Sequence, residues 1–256
     1  MTASELLFER MCTTLEIPFE RLQEGEQKTA DYTIVLDSER VIVEVKELAP
    51  NQAELEAQAG ILESGSAVPS VGPAGKRIRY KIDNAKEQLS NSDGAPTILL
   101  LFDARPIAVS SVGSYQVMAA MYGLETFDLS VPRELDAPVT ISGPRFGKDG
   151  KLGPLKHTFI SAIAVMAIGD QRALLLDIYL NTFAVNPLPL EHLLRMPSVK
   201  VFKLPDGCTG EFCEWVRVGS RGQVFPADSG RAALDRGSVP PQRGDRCRNR
   251  RDHTGG

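Results

Sequence analysis

Residues 31–46, DYTIVLDSERVIVEVK, constrain the fold more than any other stretch, because apolar and polar side chains alternate on both sides of a turn signal. Asp37-Ser38-Glu39-Arg40 reads as a four-residue loop between two strands, a common hairpin length built from turn-forming residues. That pairing sets Leu36 against Val41, Thr33 against Glu44 and Asp31 against Lys46. Side chains alternate along a strand, so residues 31, 33, 35, 42, 44 and 46 share one face. The opposite face carries Tyr32, Ile34, Leu36, Val41, Val43 and Val45, and is a core face. Paired side chains sit about 5 Å apart and diagonal ones, such as Asp31 and Glu44, about 7–8 Å.

Two carboxylates at that separation suit a shared divalent cation. Mg²⁺ takes oxygen ligands, usually one or two carboxylates, and retains several waters. Such an ion lowers the pKa of water and neutralises charge developing on a phosphate. An adjacent lysine can orient the attacking water or stabilise the pentavalent phosphorus. The same Glu-x-Lys pattern is also what the wet face of an ordinary strand looks like, so the flanking segments must carry the rest of the case.

The chain has 256 residues, enough for one substantial core and a small appendage. It is 42% hydrophobic and 24% charged, and no apolar run reaches the roughly 18 residues of a membrane span. Thr2, Ala3, Ser4 and Glu5 are not a basic region leading into an apolar segment, so a secretory signal is not expected. Cys12, Cys208, Cys213 and Cys247 are too scattered for a disulfide framework and are expected to be reduced thiols, in a cytoplasmic protein without membrane partners. A net charge of −4 argues against a nucleic-acid coat, but leaves room for an enzyme with a local basic patch.

Residues 3–16 predict a helix, with Thr2 and Glu5 as a capping box and Pro18 beyond its end. Residues 50–75, rich in Gly, Ala, Ser and Pro, predict a long connection with a short helix at Gln52–Gln58; it reads equally as a substrate-facing or a disordered segment. Residues 75–90 predict an amphipathic helix with Ile78, Ile82, Ala85 and Leu89 inward. Its remaining surface is net +3, and Lys76, Arg77, Arg79 and Lys81 are candidates for phosphate-backbone contacts; a solvated charged face is the other reading. Pro96–Phe102, almost continuously apolar, predicts a buried strand reached by a right-handed crossover onto a partly parallel sheet.

A helix is expected at 110–122, and strands at Val139–Ser142, Thr158–Ile168, Arg172–Leu180 and Val199–Leu204. Gly169-Asp170 marks a hairpin, and Leu188–Arg195 a short helix. Residues 219–256, with eight Arg, no Lys, four Asp and few large apolar residues, predict a disordered basic tail.

Taken in order, SELLFER, ADYTIV, VIVEVKEL, KRIRYKIDNAKEQL and PTILLLF resemble the PD-(D/E)XK nuclease superfamily, over about residues 4–103. The resemblance implies an α/β fold: a restriction-endonuclease-like core with a mixed central sheet flanked by helices. To this the chain adds a strand-rich C-terminal extension. The corresponding division is a nuclease-like core at 1–125, the extension at 126–218 packed on it, and the tail at 219–256.

The same resemblance makes Asp31, Glu44 and the carbonyl of Val45 metal ligands for Mg²⁺ or Mn²⁺, and Lys46 the catalytic lysine. Glu5 from the first helix would assist, with Glu9 as the fallback. Gln88 matches a glutamine seen in family members, and Ala30 stands where the motif has a proline. The implied activity is metal-dependent hydrolysis of phosphodiester bonds in DNA, or in RNA; many such nucleases work as dimers, so a homodimer is one partner state the resemblance allows. The alternative is a catalytically inactive module of this fold that binds nucleic acid or a protein partner.

Overall fold

The alternating stretch lies within a nine-stranded sheet in the computed structural model, which describes residues 1–23, 28–66, 72–105, 112–132, 138–168, 174–208, 210–219 and 224–226. Helix α1 (Ala3–Thr14) opens the chain with a complete capping box between Thr2 and Glu5. Strands β1 (Phe19–Arg21), β2 (Tyr32–Leu36) and β3 (Glu39–Leu48) follow as an antiparallel meander. Helices α2 (Gln52–Ser64) and α3 (Lys76–Ser90) then lead into β4 (Thr97–Asp103), which runs parallel to β3. Helix α4 (Ser114–Met121) precedes a separate two-stranded ribbon, β5 (Glu125–Ser130) with β6 (Thr140–Phe146).

The chain then returns to the large sheet with β7 (Ala162–Ile168), β8 (Leu174–Leu180), β9 (Val199–Lys203), β10 (Val216–Val218) and β11 (Val224–Pro226). The strand order is β1-β2-β3-β4-β7-β8-β9-β10-β11, mixed parallel and antiparallel. The fold is therefore mixed α/β, with one large sheet and four α-helices among the described residues. None of those helices is long and apolar enough to cross a membrane.

Strand alternation divides the core in two. Tyr32, Ile34, Val41, Val43, Val45, Ile98 and Leu100 pack toward α1 residues Phe8, Met11 and Cys12. Ile42, Leu48, Leu99 and Leu101 pack on the other face, under Ile78, Ile82, Ala85 and Leu89 of α3 and Val117, Met118 and Met121 of α4. Glu44 and Lys46 alternate with Val43 and Val45, so they stand on the α3 face. The apolar stripe of α3 is the one its sequence spacing predicts.

Several expectations change. The hairpin turn is two residues long: Leu36 pairs with Glu39, while Asp37 and Ser38 take φ of 48° and 68°. Aspartate tolerates the left-handed region, and a two-residue turn with both residues there matches strand twist. The pairing is thus Thr33 with Ile42 and Tyr32 with Val43, two residues from the expected register. The shift is even, so every side chain keeps its predicted face. Helix α2 runs to Ser64 instead of stopping near Gln58, because Asn51 and Glu54 form a capping box and Gly65 ends it in the left-handed conformation.

The helix expected at Leu188–Arg195 is a 3-10 turn at Leu193–Arg195. Cys208 and Cys213, expected as reduced thiols, form a disulfide: folding brings their Cα atoms to 6.4 Å across the turn between them. The Gly169-Asp170 turn lies outside the described residues, although β7 and β8 on either side of it pair antiparallel. Of the expected tail, residues 224–226 pair with β10, and 227–256 lie outside the described residues.

Candidate active site

The two-residue turn decides what meets what. Continuing the observed register past Tyr32–Val43 sets Asp31 against Glu44. The Asp31 carboxylate accepts a hydrogen bond from the Val45 N–H at 2.8 Å, which fixes it beside β3. Lys46 lies on the same face as Glu44, and its Nζ forms an ion pair with Glu44 Oε1. Three predicted site residues, Asp31, Glu44 and Lys46, are thereby gathered at one place under α3.

Glu44 is the unusual member. It is 1% exposed, and its second oxygen, Oε2, is buried without a hydrogen-bond partner. Burial pushes its pKa up to about 7; the Lys46 ammonium opposes the rise and the Asp31 carboxylate adds to it. Burial also raises Asp31, against the Val45 N–H and Lys46, which favour its charged form. A buried carboxylate with an unmet acceptor is costly unless something supplies a donor or a cation.

Glu5, the expected helper, contributes to the same field but is already engaged. Its carboxylate accepts from the Thr2 N–H at 2.5 Å and pairs with Arg21 at 3.3 Å, and its charge helps to raise Asp31. Glu9 accepts from the Tyr32 hydroxyl at 2.8 Å. Arg21, unmarked in the sequence reading, arrives through β1, whose Arg21 pairs with Tyr32. A three-residue strand after Ile17-Pro18 carries too little alternation to be read from sequence. The Val45 side chain is core, and its N–H is committed to Asp31.

The basic helix divides into two classes of side chain. Arg77 donates to both oxygens of Glu54, at 3.1 and 2.9 Å, and to the Ala49 carbonyl. Arg79 donates to the carbonyls of Ala74 and Ala119 at 3.0 and 3.2 Å. These arginines tie α3 to α2 and α4. Lys76 is exposed, whereas Lys81 is half-buried beside the site, its pKa lowered by burial and then by Lys46 and Arg77. Lys81 also lines a cleft of about 600 Å³ with Leu48, Glu54, Lys76, Arg105 and Gln116, a lining to which Asp31, Glu44 and Lys46 do not belong. Gln88, on the same flank of α3 as Lys81, has a buried, unpartnered Oε1, as does Thr33 at Oγ1.

The glycine-rich entry to α3 is fixed by close packing. Gly75 has φ +72°, and a Cβ there would lie 2.7 Å from the Ala120 nitrogen and the Gln116 oxygen. Gly75→Ala should therefore cost about 3 kcal/mol in urea unfolding, through the unfavourable φ and the backbone clash.

Among the described residues, no group of three or more His, Cys, Asp and Glu side chains is gathered to hold a metal. The donor set is the Asp31–Glu44 pair, and two carboxylates with waters are a usual Mg²⁺ set. The unmet Oε2 of Glu44 fits that role. Comparison of the chain with protein-family models, curated proteins and solved structures found no significant match.

Proposed function

We propose that this protein is a metal-dependent phosphodiesterase of the restriction-endonuclease-like kind, hydrolysing DNA with Mg²⁺ or Mn²⁺. The observation that carries the reading is the buried, half-satisfied Glu44 carboxylate, flanked by Asp31 and ion-paired to Lys46. The order of α1, the β1–β2–β3 meander, α3 and parallel β4 supports it, because that is the order the resemblance calls for.

In this reading Asp31 and Glu44 hold the cation, with Glu44 presenting Oε2. The bound ion supplies a lowered water pKa and neutralises charge on the scissile phosphate. The Val45 N–H keeps the Asp31 carboxylate turned toward the site. The Lys46 side chain is one-quarter exposed, so that it can meet an incoming phosphate oxygen or the attacking water while remaining placed by Glu44. Lys81 adds a second positive charge on the cleft side, where a neighbouring phosphate of the strand would lie.

Cleavage of single-stranded, duplex and branched DNA and of RNA, each with Mg²⁺ and with Mn²⁺, tests the reading. Metal-dependent cleavage of at least one DNA form is expected. Silence on every substrate, together with no calorimetric Mn²⁺ binding that Asp31→Ala removes, would favour a non-catalytic module.

A further inference from the structure

The β5–β6 ribbon carries an apolar surface that nothing in the described chain covers. Leu129 is directly opposite Ile141, and strand alternation places Val131 and Val139 next to them on the same face. Leu129 is 61% exposed and Ile141 69%; Val131 and Val139 are also exposed, as is Phe127 at the bulge beside them. The reverse face is polar, with Asp128 and Arg145 joined by two hydrogen bonds of 2.7 Å and Ser130, Thr140 and Ser142 alongside. At its base the ribbon is rooted by Phe146, whose ring meets Tyr122 at 5.6 Å and Phe212 at 5.2 Å.

We infer that this face is a homodimer interface, occupied by the same face of a second copy of the chain. A two-stranded ribbon is marginal in water by itself, and its apolar face needs cover. The exposed Leu, Ile, Val and Phe side chains offer no charge or hydrogen-bonding group, so a nucleic acid gains little there. An identical apolar face is complementary to it under two-fold symmetry, where each residue meets its counterpart across the axis. Each of the five side chains exposes roughly 100 Å², so two copies would remove about 1,000 Å² from water, the lower bound for a specific interface. The outcome is a reversible dimer in the micromolar range. This surface is independent of the catalytic reading.

Sedimentation velocity on the full chain, from about 1 to 100 μM, tests it. The wild type should pass from monomer to dimer across that range. The Leu129→Lys/Ile141→Lys double variant should be monomeric throughout, and Leu129→Thr should weaken the dimer several-fold. Circular dichroism and the thermal midpoint at low concentration should stay unchanged, because these side chains are exposed in the monomer. A wild type that remains monomeric at the top concentration overturns the inference, as does a dimer that persists undiminished in the double variant.

Discussion

Lys46→Ala is expected to lower Mg²⁺-dependent cleavage by about 10³-fold, the scale of removing one preorganised charge from a phosphoryl site. The loss should fall on kcat more than on KM, because in the proposed mechanism Lys46 acts where charge develops, and the cleft side holds other cations. Breaking a buried ion pair usually destabilises by leaving its partner charged and unpaired. Here Glu44 has an outlet, since its pKa is already near 7 and it can take up a proton when Lys46 is removed. Assayed near neutrality, the variant should therefore stay folded, with a thermal midpoint close to wild type. Glu44→Ala should be as inactive, and should lose calorimetric Mn²⁺ binding as well. Wild-type cleavage rates in either purified variant would remove these residues from the mechanism.

Glu44→Gln should make the metal-free protein more stable at pH 8, by up to about 3 kcal/mol. The folded pKa of Glu44 is raised from 4.5 to about 7, so between those values the native state holds a proton that the unfolded chain has released. Stability of the wild type therefore falls as pH rises from about 4.5 and levels off above about 7; below 4.5 the group contributes nothing. Glutamine keeps the shape and removes the penalty. Urea unfolding in EDTA should show the two proteins converging at pH 4.5 and separating at pH 8. Adding Mn²⁺ at pH 8 should stabilise the wild type and leave Glu44→Gln nearly unmoved. A pH-independent gap would show that the carboxylate is not ionising in a dry site.

Much of the site was legible because strand alternation is local. The pattern from Tyr32 to Val45 assigns faces without knowledge of any other element, and an even register shift could not disturb it. The stripe Ile78, Ile82, Ala85 and Leu89 was equally plain, since helical spacing depends on nothing distant. The pairing itself was not fixed by the pattern. Asp31 meets Glu44 instead of Lys46 because Asp37 and Ser38 close the turn in two residues, and loop length is a backbone choice to which alternation is blind.

Net charge along a helix is equally blind to distant partners. Arg77 and Arg79 belong to a net-positive helix in the sequence, but they are consumed by Glu54 and by backbone carbonyls, partners from 5 to 40 residues away. Cys208 and Cys213 looked scattered until the intervening turn brought them together. What the sequence determined by itself was which side chains look the same way, because that follows from the local periods of strand and helix. Only the tertiary structure decided which of them touch, which charges remain open to a ligand and that Glu44 is sealed from water with one oxygen unmet. Partnership and burial depend on elements far apart in the chain, and no local period encodes them.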